Sequence, residues 1–224
     1  MGTVTQTPLA NLGPAEQLRA GRMPRRLAQL LVGLWLYGVS MGLMIRSGLG
    51  QVPWDVLHYG LALHLPLSIG QVVVVASFVV LLLWIPLRQA PGLGTILNAV
   101  LIGVALDVTL AMVTAPSAVA IRIAFMVVGI LGNALATALY IGAQLGPGPR
   151  DGLMTGWSRR TGWSLRLVRT SLEVVVVAVG WLLGGVLGVG TVLYAIAIGP
   201  LTQHLLPLFT VPLEEREPVS DASR

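Results

Sequence analysis

Two Pro-x-Asp turns carry the residues of this chain whose types and spacing best suit chemistry. Each turn combines glycines with a proline and an aspartate, and the second turn follows the first by 96 positions. Proline and an acidic residue are typical of the first turn of a helix, where free N–H groups and the positive end of the helix dipole favour an anion. Glycine lets a ligand or another backbone come close. The turns therefore supply these candidate substrate-binding residues: Gly50, Pro53, Asp55, Gly146, Gly148, Pro149, Arg150 and Asp151.

A structural alternative exists for both aspartates. Asp55 and Asp151 would then only cap their own helices and hold a tight turn at the membrane surface, which is an ordinary place for Asp. The two interpretations are compatible, because a capping residue can also lie at the mouth of a cavity.

Additional arginines distinguish the second turn from the first. Arg150, Arg166 and Arg169 each lie 96 positions after an uncharged residue, the same spacing that separates the two turns. Arg166, Arg169 and Glu173 fall at i, i+3 and i+7, on one face of a helix. One interpretation is a cytoplasmic vestibule, with Arg166 and Arg169 as further substrate-binding residues that attract a small-molecule anion or an anionic lipid headgroup. The alternative is positive-inside anchoring, with Arg169 and Glu173 as an i,i+4 ion pair.

Three polar residues within apolar segments form a candidate coupling site or proton relay. Asp107 is costly in a membrane as an ionised carboxylate unless it is paired, protonated or hydrated. Gln203 is its equivalent 96 positions later, and His204 follows directly. A carboxylate and an imidazole at matching depths in two opposed copies would suit proton transfer. In the alternative, Asp107 reaches water near the outer end of its segment and His204 hydrogen-bonds within the bundle.

An internal repeat positions all of these residues. Aligning residues 26–114 with residues 122–210 without a gap gives 26 identities in 89 positions. Many identities fall on glycine, proline, aspartate and arginine, which are chosen for backbone geometry or charge. The chain is therefore one structural unit used twice.

The composition indicates an all-α polytopic membrane protein. Hydrophobic residues make up 55% of the chain and charged residues 10%, and apolar runs approach the roughly 20 residues of a membrane-spanning helix. Six such runs are predicted as transmembrane helices: 27–45, 69–87, 95–113, 123–145, 168–189 and 191–209.

Each repeat also contains a segment too short to span. Segments 54–65 and 150–161 reach only about 18 Å as helices, so we expect each to be re-entrant or interfacial. Three spans per repeat is an odd number, which predicts two inverted three-helix repeats. With a cytoplasmic N-terminus, twelve arginines lie inside and two outside, in agreement with the positive-inside rule. If both short segments also spanned, a parallel arrangement of four plus four spans would place eleven arginines inside and three outside. The arginine count therefore does not separate the two arrangements. The short length of segments 54–65 and 150–161 favours the inverted one.

The remaining boundaries follow from composition. Residues 1–25 are predicted as a polar cytoplasmic N-terminal segment leading into a retained first span rather than a signal peptide. Repeat 1 (26–114), a connecting loop (115–121) and repeat 2 (122–210) precede an acidic cytoplasmic tail (211–224). The absence of cysteine excludes disulfides and thiolate metal sites. We expect no metal, no cofactor, no nucleic-acid partner and no enzymatic activity, and the oligomeric state is left open.

The turn motifs carry a family resemblance. The signature Gly-x-Gly-Pro-x-Asp-Gly-Leu at 146–153 and its weaker partner Gly-x-Gly-x-x-Pro-Trp-Asp at 48–55 resemble the bacterial YczE/YyaS/YitT family of integral membrane proteins over about residues 26–210. The resemblance implies a bacterial cytoplasmic (inner) membrane location and no known enzymatic cofactor, and it brings no established substrate.

Two functions from different classes fit these features. The first is a transporter or permease for a small, anionic solute, which alternately opens to the two short-helix turns. The second is a non-transporting membrane accessory or assembly protein that acts through its basic cytoplasmic face. A transporter requires a polar cavity between the repeats, whereas an accessory protein does not.

Overall fold

Helices account for all regular structure in the described part of the chain. The computed structural model describes residues 12–213. The helices of this range are α1 (Pro14–Arg19), α2 (Met23–Ser47), α3 (Pro53–Ala62), α4 (Ile69–Leu87), α5 (Leu93–Met112), α6 (Val119–Gly142), α7 (Pro149–Thr161), α8 (Leu165–Leu182) and α9 (Val189–Phe209). Most of the predicted acidic tail and the start of the predicted N-terminal segment lie outside the described residues.

Five helices of the described range are long and apolar enough to cross a membrane. They are α2, α4, α5, α6 and α9, with 19 to 25 residues each. The sixth predicted span corresponds to α8, which has 18 residues and reaches about 27 Å. It differs from the other five because Arg166, Arg169 and Glu173 lie in its first half. The chain is therefore an all-helical membrane protein.

Helices α2 and α6 form the centre of the molecule and run antiparallel. Gly33 of α2 packs on Tyr140, near the end of α6, and Gly129 of α6 packs on Met44, near the end of α2. A Cβ at Gly33 would lie 2.9 Å from the backbone nitrogen of Tyr140, so only glycine permits this approach. The main apolar core extends from this helix pair to α5 and α9.

Arginines at equivalent positions of the repeat donate hydrogen bonds to carbonyl groups at the ends of these two helices. Arg26 Nε donates to the Ala143 carbonyl at 2.9 Å, and a terminal nitrogen of Arg26 donates to the next carbonyl at 2.7 Å. Arg122 Nε donates to the Ser47 carbonyl at 2.7 Å, and a terminal nitrogen donates to the next carbonyl at 3.1 Å. Donor and acceptor residues of the two contacts are each 96 positions apart. The arginine of each half therefore binds the equivalent carbonyl groups of the other half.

The chain segments before the short helices make a second exchanged contact. Gly94 N donates to the Leu145 carbonyl at 2.7 Å, and Gly190 N donates to the Leu49 carbonyl at 2.8 Å. Short helices α3 and α7 then pack on α8 and α4 respectively. Each short helix therefore lies against a long helix of the other half.

One packing contact is made in the first half and absent from the second. In the first half, Gly70 of α4 and Gly103 of α5 touch, and a Cβ at Gly103 would lie 2.4 Å from the Gly70 carbonyl oxygen. The equivalent residues of α8 and α9 are Arg166 and Gly199. A Cβ at Gly199 would meet nothing within 4 Å, and α8 does not pack along α9 as α4 packs along α5. A cleft therefore lies beside α9 at the position where the first half has its glycine contact.

Candidate functional site

A cavity of about 220 Å³ with a mixed polar and apolar lining lies between the two halves. It is lined by residues of α2 and of each helix from α4 to α9, so both halves contribute. The polar or charged residues of its wall are Tyr37, Ser77, Asn98, Thr137, Tyr140, Arg150, Asp151, Arg169, Tyr194, Thr202 and Gln203. A cavity of this kind was the feature that a transporter required.

The starts of the two short helices meet beside this cavity. The Arg150 guanidinium lies over the Trp54 ring, 5.1 Å from its centroid, and these two residues occupy equivalent positions in the halves. A smaller adjoining cavity of about 70 Å³ is lined by Pro53 and Trp54 from α3 and by Arg150 and Asp151 from α7. The structure therefore brings the two Pro-x-Asp turns together at the centre of the protein.

Arg150 and Arg169 both line the cavity but differ in how their charge is balanced. Arg169 Nε donates to Glu173 Oε1 at 2.9 Å, which forms the expected i,i+4 ion pair. Arg150 makes no hydrogen bond or ion pair within residues 12–213 and is held by its stacking on Trp54. Cation–π stacking uses the face of the guanidinium and leaves its N–H edge available. Arg150 therefore offers N–H donors to a ligand, in a cavity wall that also contains Asp151.

The two aspartates of the turns have different partners. Asp151 accepts a hydrogen bond from the Tyr140 hydroxyl at the cavity wall. Asp55 is fully buried, and its Oδ1 lies 3.1 Å from His58 Nδ1. Within the described residues, neither carboxylate accepts a hydrogen bond from the backbone of its own helix, so their contribution to the helix start is through the dipole.

The glycines and prolines of the turns divide into packing residues and lining residues. Gly50 and Gly146 have φ angles of +131° and +114°, which disfavour other residues. A Cβ at Gly50 would lie 2.6 Å from the backbone nitrogen of Thr191. Gly148 and Pro149 line the larger cavity, whereas Gly50 and Gly146 do not. The outer glycines thus shape the turn, and the residues next to the helix face the cavity.

The candidate relay residues do not come together. Asp107 accepts hydrogen bonds from the Gly70 backbone N–H at 2.8 Å and from the Ser68 hydroxyl, so it caps the start of α4. Gln203 lines the cavity, and His204 is exposed. Asp107 lies against the start of α4, away from the cavity that Gln203 lines, so the two residues do not meet. Arg166 is also exposed and does not line the cavity.

Sequence reasoning missed the tyrosines. Three of the four tyrosines of the chain, Tyr37, Tyr140 and Tyr194, line the cavity. The Tyr194 hydroxyl donates to Asn133 Oδ1 at 2.7 Å, deep in the bundle. Tyrosine in a membrane protein is most common at the interface. Tyr37 lies in the middle of a predicted span and was the available signal, whereas Tyr140 and Tyr194 lie near the ends of theirs. Asn98, the equivalent of Tyr194 in the first half, completes this polar lining.

Comparison with known proteins places the chain in a family. A family of unknown function, DUF6198, matches residues 24–207. An uncharacterized protein of Haemophilus influenzae is 43% identical over 182 residues, covering 81% of this chain and 84% of that protein. The uncharacterized membrane protein YczE of Bacillus subtilis is 34% identical over 172 residues, covering 76% and 80%. The uncharacterized protein YyaS of Bacillus subtilis is 26% identical over 200 residues, covering 86% and 96%.

No solved structure matches the chain. The family model covers most of the chain, and the resemblance indicated by the Gly-x-Gly-Pro-x-Asp-Gly-Leu signature is confirmed by the match to YczE and YyaS. The chain therefore belongs to the DUF6198 family of bacterial membrane proteins, together with YczE and YyaS.

Proposed function

We propose that the protein is a transporter for a small anionic solute in the bacterial cytoplasmic membrane. The observation that carries this proposal is Arg150, a guanidinium without a carboxylate partner in the described chain, at the wall of the cavity between the two halves. Arg150 is half-buried at the cavity wall, and its N–H groups have no hydrogen-bond partner among residues 12–213, so they are available to a solute. An anion that enters the cavity supplies the missing charge.

The size and chemistry of the cavity narrow the solute. Pockets for drug-sized ligands occupy roughly 300–1,000 Å³, so a cavity of about 220 Å³ suits a smaller molecule. Arg150 can bind a carboxylate or phosphate with two parallel hydrogen bonds. The hydroxyls and amides that surround it, among them those of Tyr194 and Asn98, can bind the neutral polar part of the solute. A small carboxylate or phosphate compound meets these conditions.

Two inverted three-span repeats form the transport architecture in this proposal. The antiparallel pairing of α2 and α6 and the exchanged arginine contacts support it, because both follow when equivalent units are related by a two-fold axis in the membrane plane. Helix α8 is the sixth span, and the Arg169–Glu173 pair lowers the cost of its charges. Both termini are cytoplasmic. Reporter fusions in the loop 114–118 should read external, and a cytoplasmic signal there would contradict the inverted arrangement.

The cavity opens towards one side in this arrangement. Its lining residues Thr202 and Leu206 lie in the last third of α9, and Arg169 lies near the start of α8. The proposed topology puts those helix ends at the cytoplasm. On the opposite side, Gly70 and Gly103 hold α4 and α5 together. In this proposal the conformation described here is the inward-open state of an alternating-access cycle.

Cysteine labelling tests this proposal without knowledge of the solute. The chain has no cysteine, so Thr202→Cys introduces a single thiol at the cavity wall. Two methanethiosulfonate reagents of similar size, one anionic and one cationic, should label it from the cytoplasmic side, with the anionic reagent faster. Arg150→Gln should lower the ratio of the two rates. Leu106→Cys, the equivalent position in the first half, is fully buried and serves as the unreactive control.

Two outcomes would overturn the proposal. A thiol at position 202 that reacts as slowly as one at position 106 would mean that the cavity is closed to solutes. A rate ratio that is unchanged by Arg150→Gln would mean that the cavity does not select anions through Arg150. Either result would favour the accessory function, for which the exposed arginines Arg159 and Arg166 supply a basic surface.

A further inference from the structure

A buried pair of titratable side chains lies directly behind the anion site. Asp55 and His58 are one turn apart on α3, with 0% and 1% of their side chains exposed, and Asp55 Oδ1 lies 3.1 Å from His58 Nδ1. The second carboxylate oxygen, Oδ2, is buried and has no hydrogen-bond partner in the described chain. An ionised carboxylate with an unpartnered oxygen in a membrane interior is unfavourable, and one bound proton removes that cost.

The surroundings of this Asp55–His58 pair suit a proton better than a metal ion. Neither Asp55 nor His58 lines either of the two central cavities, so there is little room for an ion with its ligands. Within residues 12–213 no group of three or more His, Cys, Asp or Glu side chains could hold a metal. A proton needs no volume and only two heavy atoms between which it can move.

Trp54 connects the pair to the anion site. Arg150 lies over its ring, and the His58 ring centroid is 6.4 Å from that of Trp54. Trp54 also precedes Asp55 in the chain. Trp54 is thus a neighbour of both Arg150 and His58, and charges on the two sides of this residue interact more strongly in a protein interior than in water. The other titratable or charged groups around Trp54 and the pair are Asp151 of α7, Arg169 and Glu173 of α8, Tyr37 of α2 and Tyr194 of α9.

We propose that Asp55 and His58 form a proton-binding site that couples proton entry to anion binding at Arg150, so that the protein is a proton–anion symporter. This inference rests on the proposed transport function. Without an extra proton, the pair carries one negative charge, which balances the positive charge of Arg150. With one proton bound, the pair is neutral as a whole, and Arg150 is left for the anion.

Charge balance makes the two binding events cooperative. The empty site holds Arg150 and a negative pair, and the fully loaded site holds Arg150, an anion and a neutral pair. Proton and anion carry opposite charges, so binding both leaves the net charge of the site, including Asp151, the same as in the empty state. Binding only one of them changes that net charge by one unit, and the opposite charges attract each other in a low-dielectric interior. Each ligand therefore increases the affinity for the other, as thermodynamic linkage requires.

The test extends the labelling experiment on Thr202→Cys. The rate ratio of anionic to cationic reagent is measured from about pH 8 to about pH 5, the range in which histidine-containing pairs usually change charge. The ratio cancels the ionisation of the thiol itself. We expect it to rise roughly threefold to tenfold at the lower pH, because Arg150 is then no longer balanced by the pair. Asp55→Asn should hold the ratio at the low-pH value throughout.

Control variants separate the pair from other groups. His58→Gln should also remove the pH dependence, which provides a second variant if Asp55→Asn does not fold. His64→Gln is the matched control, because His64 is exposed and hydrogen-bonds the Leu183 carbonyl instead. That variant should keep the wild-type profile.

The outcomes distinguish this inference from the proposed function. A ratio that is sensitive to Arg150→Gln but constant with pH would overturn the proton site and leave the anion cavity standing. A pH dependence that survives in both Asp55→Asn and His58→Gln would also overturn it. A ratio insensitive to Arg150→Gln at every pH would remove the anion site and the coupling together.

Discussion

The contact between Gly70 and Gly103 makes a quantitative prediction with a built-in control. Gly103→Ala places a methyl group 2.4 Å from the Gly70 carbonyl oxygen and 2.7 Å from a methyl of Val74. The carbonyl belongs to a helix backbone and cannot rotate away, so α4 and α5 must separate. Overpacking of this kind costs about 1–3 kcal/mol. Gly199→Ala makes the same change at the equivalent position, where a methyl group meets nothing within 4 Å.

Thermal unfolding in detergent, followed by tryptophan fluorescence, measures the difference between these variants. For a protein of this size, each kcal/mol shifts the midpoint by about 2–4 °C. Gly103→Ala should therefore unfold about 2–12 °C below the wild type. Gly199→Ala should match the wild type or exceed it slightly, because alanine in a helix is favoured over glycine by about 0.5–1 kcal/mol. Both variants are heated at one scan rate, since membrane proteins often unfold irreversibly.

Equal loss of stability in the two variants would refute the reasoning. It would mean that α8 and α9 pack as closely as α4 and α5 and that no cleft separates them. A Gly103→Ala protein as stable as the wild type would show that the glycine contact in the first half is not tight.

Three further predictions concern residues whose roles the structure separates. Arg26→Ala and Arg122→Ala should each leave carbonyl groups without donors and lower stability by about 1–3 kcal/mol. The loss should be larger for Arg26, because its side chain is fully buried. Midpoints of thermal unfolding measure this ranking, and an Arg26→Ala variant as stable as the wild type would contradict it. Asp107→Ala should lower stability by about 1–3 kcal/mol, because the Gly70 N–H and the Ser68 hydroxyl at the start of α4 lose their acceptor. Labelling of the cavity thiol should stay unchanged, and a changed labelling rate would show a role at the site. Arg150→Gln should retain folded yield in size-exclusion chromatography, because only a stacking contact of about 0.5–2 kcal/mol is lost. Asp151→Ala removes the hydrogen bond with the Tyr140 hydroxyl and should reduce that yield. The opposite order of the two yields would mean that Arg150 is structural.

The turns and the repeat could be predicted from the sequence because backbone geometry limits which residues can occupy them. Gly50 and Gly146 have positive φ angles, which few residues adopt, and so the two copies remain recognisable. The same argument found Pro53 and Pro149 at the first turns of α3 and α7. A short, Pro-initiated segment is a local property, and local properties can be read from a sequence.

The cavity wall could not be predicted in this way, because it depends on which helix faces meet. Tyr37, Tyr140 and Tyr194 belong to three different helices, and nothing in their spacing shows that they converge. Asp107 shows a related error, since it was expected at the level of Gln203 and His204 but lies against the start of α4, away from the cavity that Gln203 lines. Arg26 and Arg122 were counted only as topological charges, although they also bind the ends of α6 and α2.

These two arginines have a consequence for the order in which the molecule is completed. As the chain is synthesised, α2 enters the membrane with the carbonyls at its end still lacking donors, because their donor is the guanidinium of Arg122, 75 residues beyond Ser47. Arg26 must in turn wait for residue 143, 117 residues away. The hydrogen bonds at the end of α2 and those of Arg26 can therefore form only after the second half is inserted. Such mutual completion is the geometry of a two-fold dimer, in which each subunit supplies what the other lacks, here joined into one polypeptide so that the partner is always present.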